Sequence, residues 1–170
     1  MSADSRDPLL RGMRNRLLQV LALYAPGAMT LRVRLHRARG VHIGDGVFIG
    51  TAALIETARP HLVSIGDNVA IGIRSVIIAH FREMVAGEDS TDEISVRIED
   101  DVFVGPGVIV LPNVTIGRGA VVTAGSVVAR SVPELTMVQG NPARPVARCT
   151  VPLGMNTPIK EFMRGLKPLP

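Results

Sequence analysis

The sequence is poor in aromatic residues and has almost no cysteine. Phe, Trp and Tyr together make up 3% of the 170 residues, Trp is absent, and Tyr occurs once. A core must therefore be built from aliphatic side chains, and stacking-type binding of single-stranded nucleic acid, which needs aromatic platforms, is disfavoured. The single cysteine, Cys149, excludes an internal disulfide and favours a reducing compartment.

Long hydrophobic runs are also missing. A membrane span needs roughly 18 apolar residues, and the best candidate, LLQVLALYA from Leu17, is short and interrupted by Gln19. With 46% hydrophobic residues and a length of 170, the chain is expected to fold as one domain. We expect a cytoplasmic protein.

Charge is segregated along the chain. Residues 1–40 carry eight arginines and two acidic residues, residues 41–140 carry six arginines and twelve acidic residues, and residues 141–170 carry five basic residues and one acidic residue. The acidic middle argues against a nucleic-acid partner. The basic ends leave contact with a phosphate group or a membrane surface open.

A six-residue repeat dominates the sequence. At this step, Ile or Val occupies all twelve positions of three series: Ile43, Ile49, Ile55; Ile65, Ile71, Ile77; and Ile98, Val104, Val110, Ile116, Val122, Val128. The next residue is often Gly, and the residue four places on is small or Val. Each unit predicts one short strand and a tight turn, because β-branched residues suit strands and Gly suits close backbone approach. Stacked units would bury a continuous aliphatic core.

The repeat, with the stretches PHLVSIGDN, VFVGPGVIVLPNVTIGRGAVVTAGSVV and QGNPARPV, resembles the hexapeptide-repeat acyltransferases from Gly40 to about Arg148. Acetyltransferases of cell-surface polysaccharide and lipopolysaccharide biosynthesis, and those acting on maltose and galactosides, are similar. The resemblance implies an all-β fold, a left-handed parallel β-helix over residues 41–148. An N-terminal helical cap over 1–40 and a C-terminal tail over 149–170 would flank it. The resemblance also implies a homotrimer.

Two insertions interrupt the repeat. Four residues are inserted between Ile55 and Ile65, and about fifteen between Ile77 and Ile98, which predicts an extruded loop over residues 81–97. Loops of that length in a repeat array usually serve function.

His80 lies just before the longer insertion, where the resembled family places its catalytic histidine. An imidazole titrates near neutral pH and can take the proton of a hydroxyl or amine as that group attacks a thioester. Glu56 is expected on the same face, one coil earlier, where it would orient His80, stabilise its charge or bind the acceptor. A solvated corner carboxylate is the alternative. Phe81 stands where many relatives carry Asp, a departure that bears on the acceptor.

The resemblance also implies acetyl-CoA as co-substrate, bound in a groove between two subunits, with direct transfer and no acyl-enzyme. The matching positions for CoA are Gly105, Pro106, Ala124, Ala129, Arg130 and Arg144. Relatives often carry Ser at the position of Pro106 and Thr at the position of Ala129. The two arginines suit the phosphates because guanidinium binds them with a bidentate fork; an ordinary solvated charge is the alternative for each.

No metal-ligand set is visible. Zinc carbonic anhydrases share the resembled fold but need three ligand histidines, two of them close together, and His80 has no other histidine within eighteen residues. The other three, His36, His42 and His61, are read as surface or satisfied residues.

Apolar residues recur every three or four positions from Pro8 to Tyr24, which predicts an amphipathic helix that begins at Pro8. A second, arginine-rich helix is expected over residues 29–39. We expect the first helix to cap the open end of the β-helix, which would otherwise expose an unpaired edge. Peripheral contact with the inner face of an anionic membrane is the alternative.

The sequence thus predicts an acetyl-CoA-dependent O- or N-acetyltransferase acting on a small saccharide-type acceptor. An antibiotic-inactivating acetyltransferase would look similar. A non-catalytic β-helix scaffold is the alternative from another class: the missing hydroxyls at Pro106 and Ala129 support it, and the retention of His80 and Arg144 argues against it.

Overall fold

The computed structural model describes residues 8–80, 93–154 and 157–169. Twelve short strands wind through three parallel sheets, so that the chain forms a left-handed parallel β-helix with three walls, as predicted. The first wall contains β1 (His42–Ile43), β4 (Val63–Ile65), β7 (Val96–Ile98) and β10 (Val114–Ile116). The second contains β2 (Phe48–Ile49), β5 (Ala70–Ile71), β8 (Phe103–Val104) and β11 (Val121–Val122). The third contains β3 (Leu54–Ile55), β6 (Val76–Ile77), β9 (Ile109–Val110) and β12 (Val127–Val128).

The repeat positions stack in register. Ile55 pairs with Ile77, Ile77 with Val110, and Val110 with Val128, and all four are fully buried. The corresponding series starting at Ile43 and at Ile49 align in the same way on the other two walls. The aliphatic core is therefore a column of β-branched side chains, which explains how the chain folds with so few aromatic residues.

Glycines after the repeat positions let consecutive coils approach each other. A Cβ on Gly50 would lie 2.5 Å from the backbone nitrogen of Ile73, and a Cβ on Gly72 would lie 2.5 Å from that of Pro106. Real Cβ atoms do not make such contacts, so these positions need Gly for space and not for an unusual φ.

Two helices cover the open end of the first coil: α1 spans Pro8–Tyr24 and α2 spans Leu31–Arg39. The amphipathic pattern would place the apolar side of α1 against the coil, but the structure shows the reverse. Asn15, Gln19 and Ala22 are buried, whereas Leu17 and Tyr24 are exposed. No helix of the described residues is long and apolar enough to cross a bilayer.

The polar sides of α1 and α2 face inward because the first coil presents backbone carbonyls to them, and three arginines of α2 bind these carbonyls. In the first coil, the carbonyls of Ile43, Ile49 and Ile55 point toward the open end, where no earlier strand can bind them. Arg37, Arg32 and Arg39, respectively, donate to these carbonyls, one on each wall. Gln19 of α1 adds a hydrogen bond to the carbonyl of Ala53 at 3.4 Å. The helices therefore supply donors to backbone carbonyls that no earlier strand binds.

After β12 the chain leaves the regular coil. Strand β13 (Thr136–Gly140) pairs in parallel with β11, and β14 (Ala143–Cys149) then returns antiparallel to it. Beyond it, helix α3 (Ile159–Arg164) and strand β15 (Leu166–Pro168) fold back, and β15 pairs with β14. Phe162 of α3 is buried against Val121 and Cys149. The described residues of the predicted C-terminal tail are thus packed against the rest of the fold.

Both predicted insertions interrupt the coil. The shorter one contains a single 3-10 turn over Pro60–Leu62. Residues 81–92 of the predicted loop lie outside the described residues. The loop prediction extended too far at its end, because Val96 and Arg97 belong to β7.

Candidate active site

Glu56 and His80 lie at the same corner of the prism. Glu56 directly follows β3, and His80 lies three residues after β6, the neighbouring strand of the third wall. The Nδ1 of His80 is 2.8 Å from Oε2 of Glu56. The adjacency expected from the repeat spacing is therefore observed. The catalytic roles of the two residues stay predictions.

The Glu56 carboxylate is almost completely enclosed. Its Oε1 accepts hydrogen bonds from the backbone N–H groups of Ala58 at 2.8 Å and Arg59 at 3.1 Å, and its Oε2 accepts one from Ala79 at 2.9 Å. Burial raises the pKa of Glu56, but these three N–H donors and His80 together outweigh burial, so the pKa is lowered from its usual value. Glu56 is therefore an ionised, fixed acceptor.

An ionised carboxylate determines which nitrogen of His80 carries the proton. Because Glu56 can only accept, Nδ1 of His80 must be the donor, and in the neutral ring Nε2 then holds the lone pair. The His80 side chain is 30% exposed, while that of Glu56 is 2% exposed. The arrangement leaves Nε2 of a partly exposed ring as the acceptor nitrogen, with the ring orientation set by a buried carboxylate, as general-base catalysis requires.

Arg39 supports this pair from the cap, and sequence reasoning did not single it out. Its guanidinium donates to the backbone carbonyl of Glu56, to that of Ile55 at 3.1 Å, and to the side chain of Gln19. It also donates to Nδ1 of His36 at 3.0 Å. The only signal in the sequence was the charge of the N-terminal segment, which does not show which arginines point inward.

His36 is a core residue with a hydrogen-bond partner at only one of its two ring nitrogens, Nδ1. It is fully buried, and its Nε2 has no hydrogen-bond partner among the described residues. Burial, and after it the charges of Arg39 and Arg32, lower the pKa of His36 to about 3. The ring is therefore neutral, as its role as acceptor from Arg39 requires.

The positions predicted for CoA divide between two corners that border the third wall. Gly105, Pro106 and Ala124 lie at the corner between the second and third walls, where a Cβ on Gly105 would lie 2.6 Å from the nitrogen of Ala124. Ala129 and Arg130 follow β12 and so lie at the corner of His80, two coils beyond it. With coils about 4.8 Å apart, that offset is about 10 Å along the axis.

Arg144 belongs to the first of these corners. It pairs with Gln139 in the β13–β14 hairpin, and β13 stacks on the coil that contains Ala124. Both Arg130 and Arg144 are exposed, and neither forms an ion pair within the described part of the chain. One chain therefore does not bring all predicted CoA positions to His80, since the third wall separates the two corners.

Cys149 is buried in the small cluster around Phe162. Burial raises the pKa of its thiol, so it stays protonated and is a poor nucleophile. Direct transfer without an acyl-enzyme stays a prediction.

Comparison with known proteins identifies the family. The model described as bacterial transferase hexapeptide (six repeats) matches residues 95–130, and that described as hexapeptide repeat of succinyl-transferase matches residues 62–78. YvoF of Bacillus subtilis, whose name assigns it provisionally to the acetyltransferases, is 32% identical over 81% of this chain and 77% of its own length. The chain belongs to the hexapeptide-repeat acyltransferase family.

Two further proteins are similar to this chain, one in sequence and one in structure. A Schizosaccharomyces pombe protein, also named provisionally as an acetyltransferase, is 34% identical over 64% of this chain, which spans 53% of that protein. A solved hexapeptide-repeat acetyltransferase of Vibrio cholerae, complexed with acetyl coenzyme A, superposes with a TM-score of 0.66 at 24% identity, covering 87% of this chain and 92% of that one. At that identity the likeness shows the fold.

Proposed function

We propose that this chain transfers an acetyl group from acetyl-CoA to a hydroxyl or amino group of a small saccharide-type acceptor, with His80 as general base. The hydrogen-bonded pair of His80 and Glu56 carries the proposal. A buried, ionised carboxylate that orients a partly exposed imidazole is an arrangement suited to proton transfer. The names of the related proteins support acetyl as the transferred group.

The reaction follows from the tautomer. Nε2 of His80 accepts the proton of the acceptor as its oxygen or nitrogen attacks the thioester carbonyl. The tetrahedral intermediate then collapses, the carbon–sulfur bond breaks, and the CoA sulfur leaves with the proton that His80 returns. Glu56 keeps its charge throughout and stabilises the transient imidazolium. No covalent bond to the enzyme is needed.

The two separated corners support a homotrimer. In one chain the CoA positions around Gly105, Ala124 and Arg144 lie across the third wall from His80. A three-fold arrangement of such prisms would bring one corner of a subunit to the other corner of its neighbour. In this proposal, the active site is completed between subunits.

Serine is the second candidate acceptor. Serine acetyltransferase 4 of Arabidopsis thaliana is 35% identical over 69% of this chain, although this chain spans 32% of that protein. Phe81 stands where many relatives carry Asp after the histidine, and this departure bears on the acceptor. The first acceptor screen should therefore include both saccharides and serine.

The first experiment is calorimetric titration of the protein with acetyl-CoA, which needs no choice of acceptor. We expect saturable binding that Arg144→Ala and Arg130→Ala weaken and that Arg97→Ala, an exposed arginine on the first wall, leaves unchanged. His80→Ala should bind acetyl-CoA normally and lose thiol release in the acceptor screen. Absence of binding at millimolar acetyl-CoA would favour the scaffold alternative, and full turnover by His80→Ala would refute the assigned base.

A further inference from the structure

The outward face of α1 is an exposed apolar stripe. Six large apolar side chains of this helix are between 50% and 74% exposed: Leu10, Met13, Leu17, Val20, Leu21 and Tyr24. At 100° per residue they fall within an arc of about 100°, so they form one continuous strip along the helix. The opposite side, with Asn15 and Gln19, faces the first coil. An apolar face of this size on the outside of a helix marks an interaction surface.

Arginines border the stripe on both margins. By helical position, Arg14 lies just beyond one edge and Arg16 just beyond the other, and both are exposed. Arg34 on α2 is a further exposed cation of the same end of the molecule. From Pro8 to Gly44 the sequence contains seven arginines and no acidic residue. The two helices that form this end of the molecule are therefore basic, with no acidic side chain of their own.

This charge pattern distinguishes between the possible occupants. If the stripe paired with the stripe of a second copy, the bordering arginines of two helices would meet, and like charges across an interface are unfavourable. An anionic bilayer suits both features, since apolar side chains enter the boundary between headgroups and acyl chains while arginines reach the phosphates. Tyr24, at the end of the stripe, is a residue type favoured at that boundary.

We propose that α1 docks the protein on an anionic phospholipid bilayer, lying in the plane of the surface with its Leu10–Tyr24 stripe buried in it. The hydrogen bonds of Arg32, Arg37 and Arg39 hold the helices on the β-helix, so docking needs no unfolding of the cap. This surface is separate from the corner of His80, and its test requires neither acetyl-CoA nor an acceptor.

The test is co-sedimentation of the full chain with vesicles. Vesicles of phosphatidylcholine with about one third phosphatidylglycerol should sediment the protein, and pure phosphatidylcholine vesicles should sediment far less. Leu17→Gln with Val20→Gln should abolish sedimentation. Arg14→Gln with Arg16→Gln should weaken binding to the anionic vesicles by about fivefold per arginine. Added salt should also weaken binding, because it screens the charges. Met163→Gln in α3, where Met163 is exposed to the same degree as Leu17, is the matched control and should bind normally.

Two results would overturn the proposal. The first is no sedimentation of the wild-type chain with anionic vesicles at low salt. The second is a stripe variant that binds vesicles as well as the Met163→Gln control. If the stripe variant instead has a lower molar mass by light scattering while the wild type ignores vesicles, a second copy covers the stripe. Circular dichroism confirms that each variant is folded, which is expected because the changed side chains are exposed.

Discussion

Arg39 donates a hydrogen bond to the backbone carbonyl of Glu56, and this contact joins the helical cap to the candidate catalytic pair. Arg39 is 2% exposed. Burial lowers its pKa to about 10, although the nearby Glu56 charge acts in the raising direction. The guanidinium therefore stays charged near neutral pH, and it holds the backbone carbonyls of Ile55 and Glu56.

Replacing Arg39 with Lys is expected to weaken both the cap and the site. Lysine keeps the charge but lacks the planar fork that reaches Ile55, Glu56 and Gln19 together. We expect a loss of about 2–3 kcal/mol in the free energy of unfolding, measured by urea denaturation. If Arg39 positions Glu56, kcat should fall by about tenfold while the KM for acetyl-CoA is unchanged. Arg34→Lys, on the exposed side of α2, is the control for both measurements. A variant that loses stability but retains kcat would limit Arg39 to a structural role.

Glu56→Gln tests the tautomer argument directly. The amide is nearly isosteric, but it can donate to Nδ1 and then allows His80 the wrong tautomer, with its proton on Nε2. We expect kcat to fall by on the order of 10²–10⁴-fold with little change in acetyl-CoA affinity, measured by thiol release and calorimetry. Glu134→Gln, at an exposed position after β12, should be without effect. Turnover of Glu56→Gln near the wild-type level would show that the carboxylate does not set the tautomer.

His36 should make stability depend on pH. Its pKa is about 3 in the folded protein and 6.5 ordinarily, so the unfolded chain binds the extra proton as pH falls below about 6.5. Folding stability is therefore complete above that pH and declines toward pH 3. Between pH 6.5 and 5 the expected loss is about 2 kcal/mol. Glu56, whose pKa is lowered, adds a loss of the same sign only below its ordinary value of 4.5.

The measurement is urea denaturation at pH 7.5 and pH 5. His36→Gln should remove most of the difference, because Gln does not titrate and still offers an oxygen to Arg39. His42→Gln, at an exposed position of β1, should retain it. Equal pH dependence in all three proteins would show that His36 is accessible to protons in the native state.

Two glycine-to-alanine substitutions should change the free energy of unfolding in opposite directions. Alanine at Gly50 would place its Cβ against the backbone of the next coil, so we expect a loss of about 1–3 kcal/mol in unfolding free energy. Alanine at Gly12, within α1, meets no atom within 4 Å and should stabilise the protein by about 0.5–1 kcal/mol. Thermal denaturation of both variants gives the comparison. A stable Gly50→Ala protein would mean that the coils can separate locally.

The β-helix could be predicted because one physical requirement repeats in every unit. Each of the positions such as Ile55 and Ile77 must fill the same column, so the period is visible without any partner residue being known. His80 and Glu56 were within reach for the same reason, since counting in coils places them side by side. The repeat therefore supplies long-range contacts that a sequence ordinarily conceals.

The cap could not be predicted in the same way. Apolar periodicity shows that α1 has two faces, but it does not show that the first coil presents carbonyls rather than aliphatic side chains. Because those carbonyls need donors, Gln19 turns inward and Leu17 is left outside. The roles of Arg32, Arg37 and Arg39 depend on that geometry, and no spacing in the sequence records it.

Those three guanidiniums also have a consequence for solubility. Without residues 1–40, the carbonyls of Ile43, Ile49 and Ile55 would be free acceptors at the end of a stack whose every layer already templates the next. A chain shortened in this way is expected to self-associate end to end. Its light scattering should rise with concentration, whereas that of the 170-residue chain should not. The helical segment would then prevent further strands from pairing with the open end of the first coil. A shortened chain that is soluble and monodisperse would show that this end does not need to be covered.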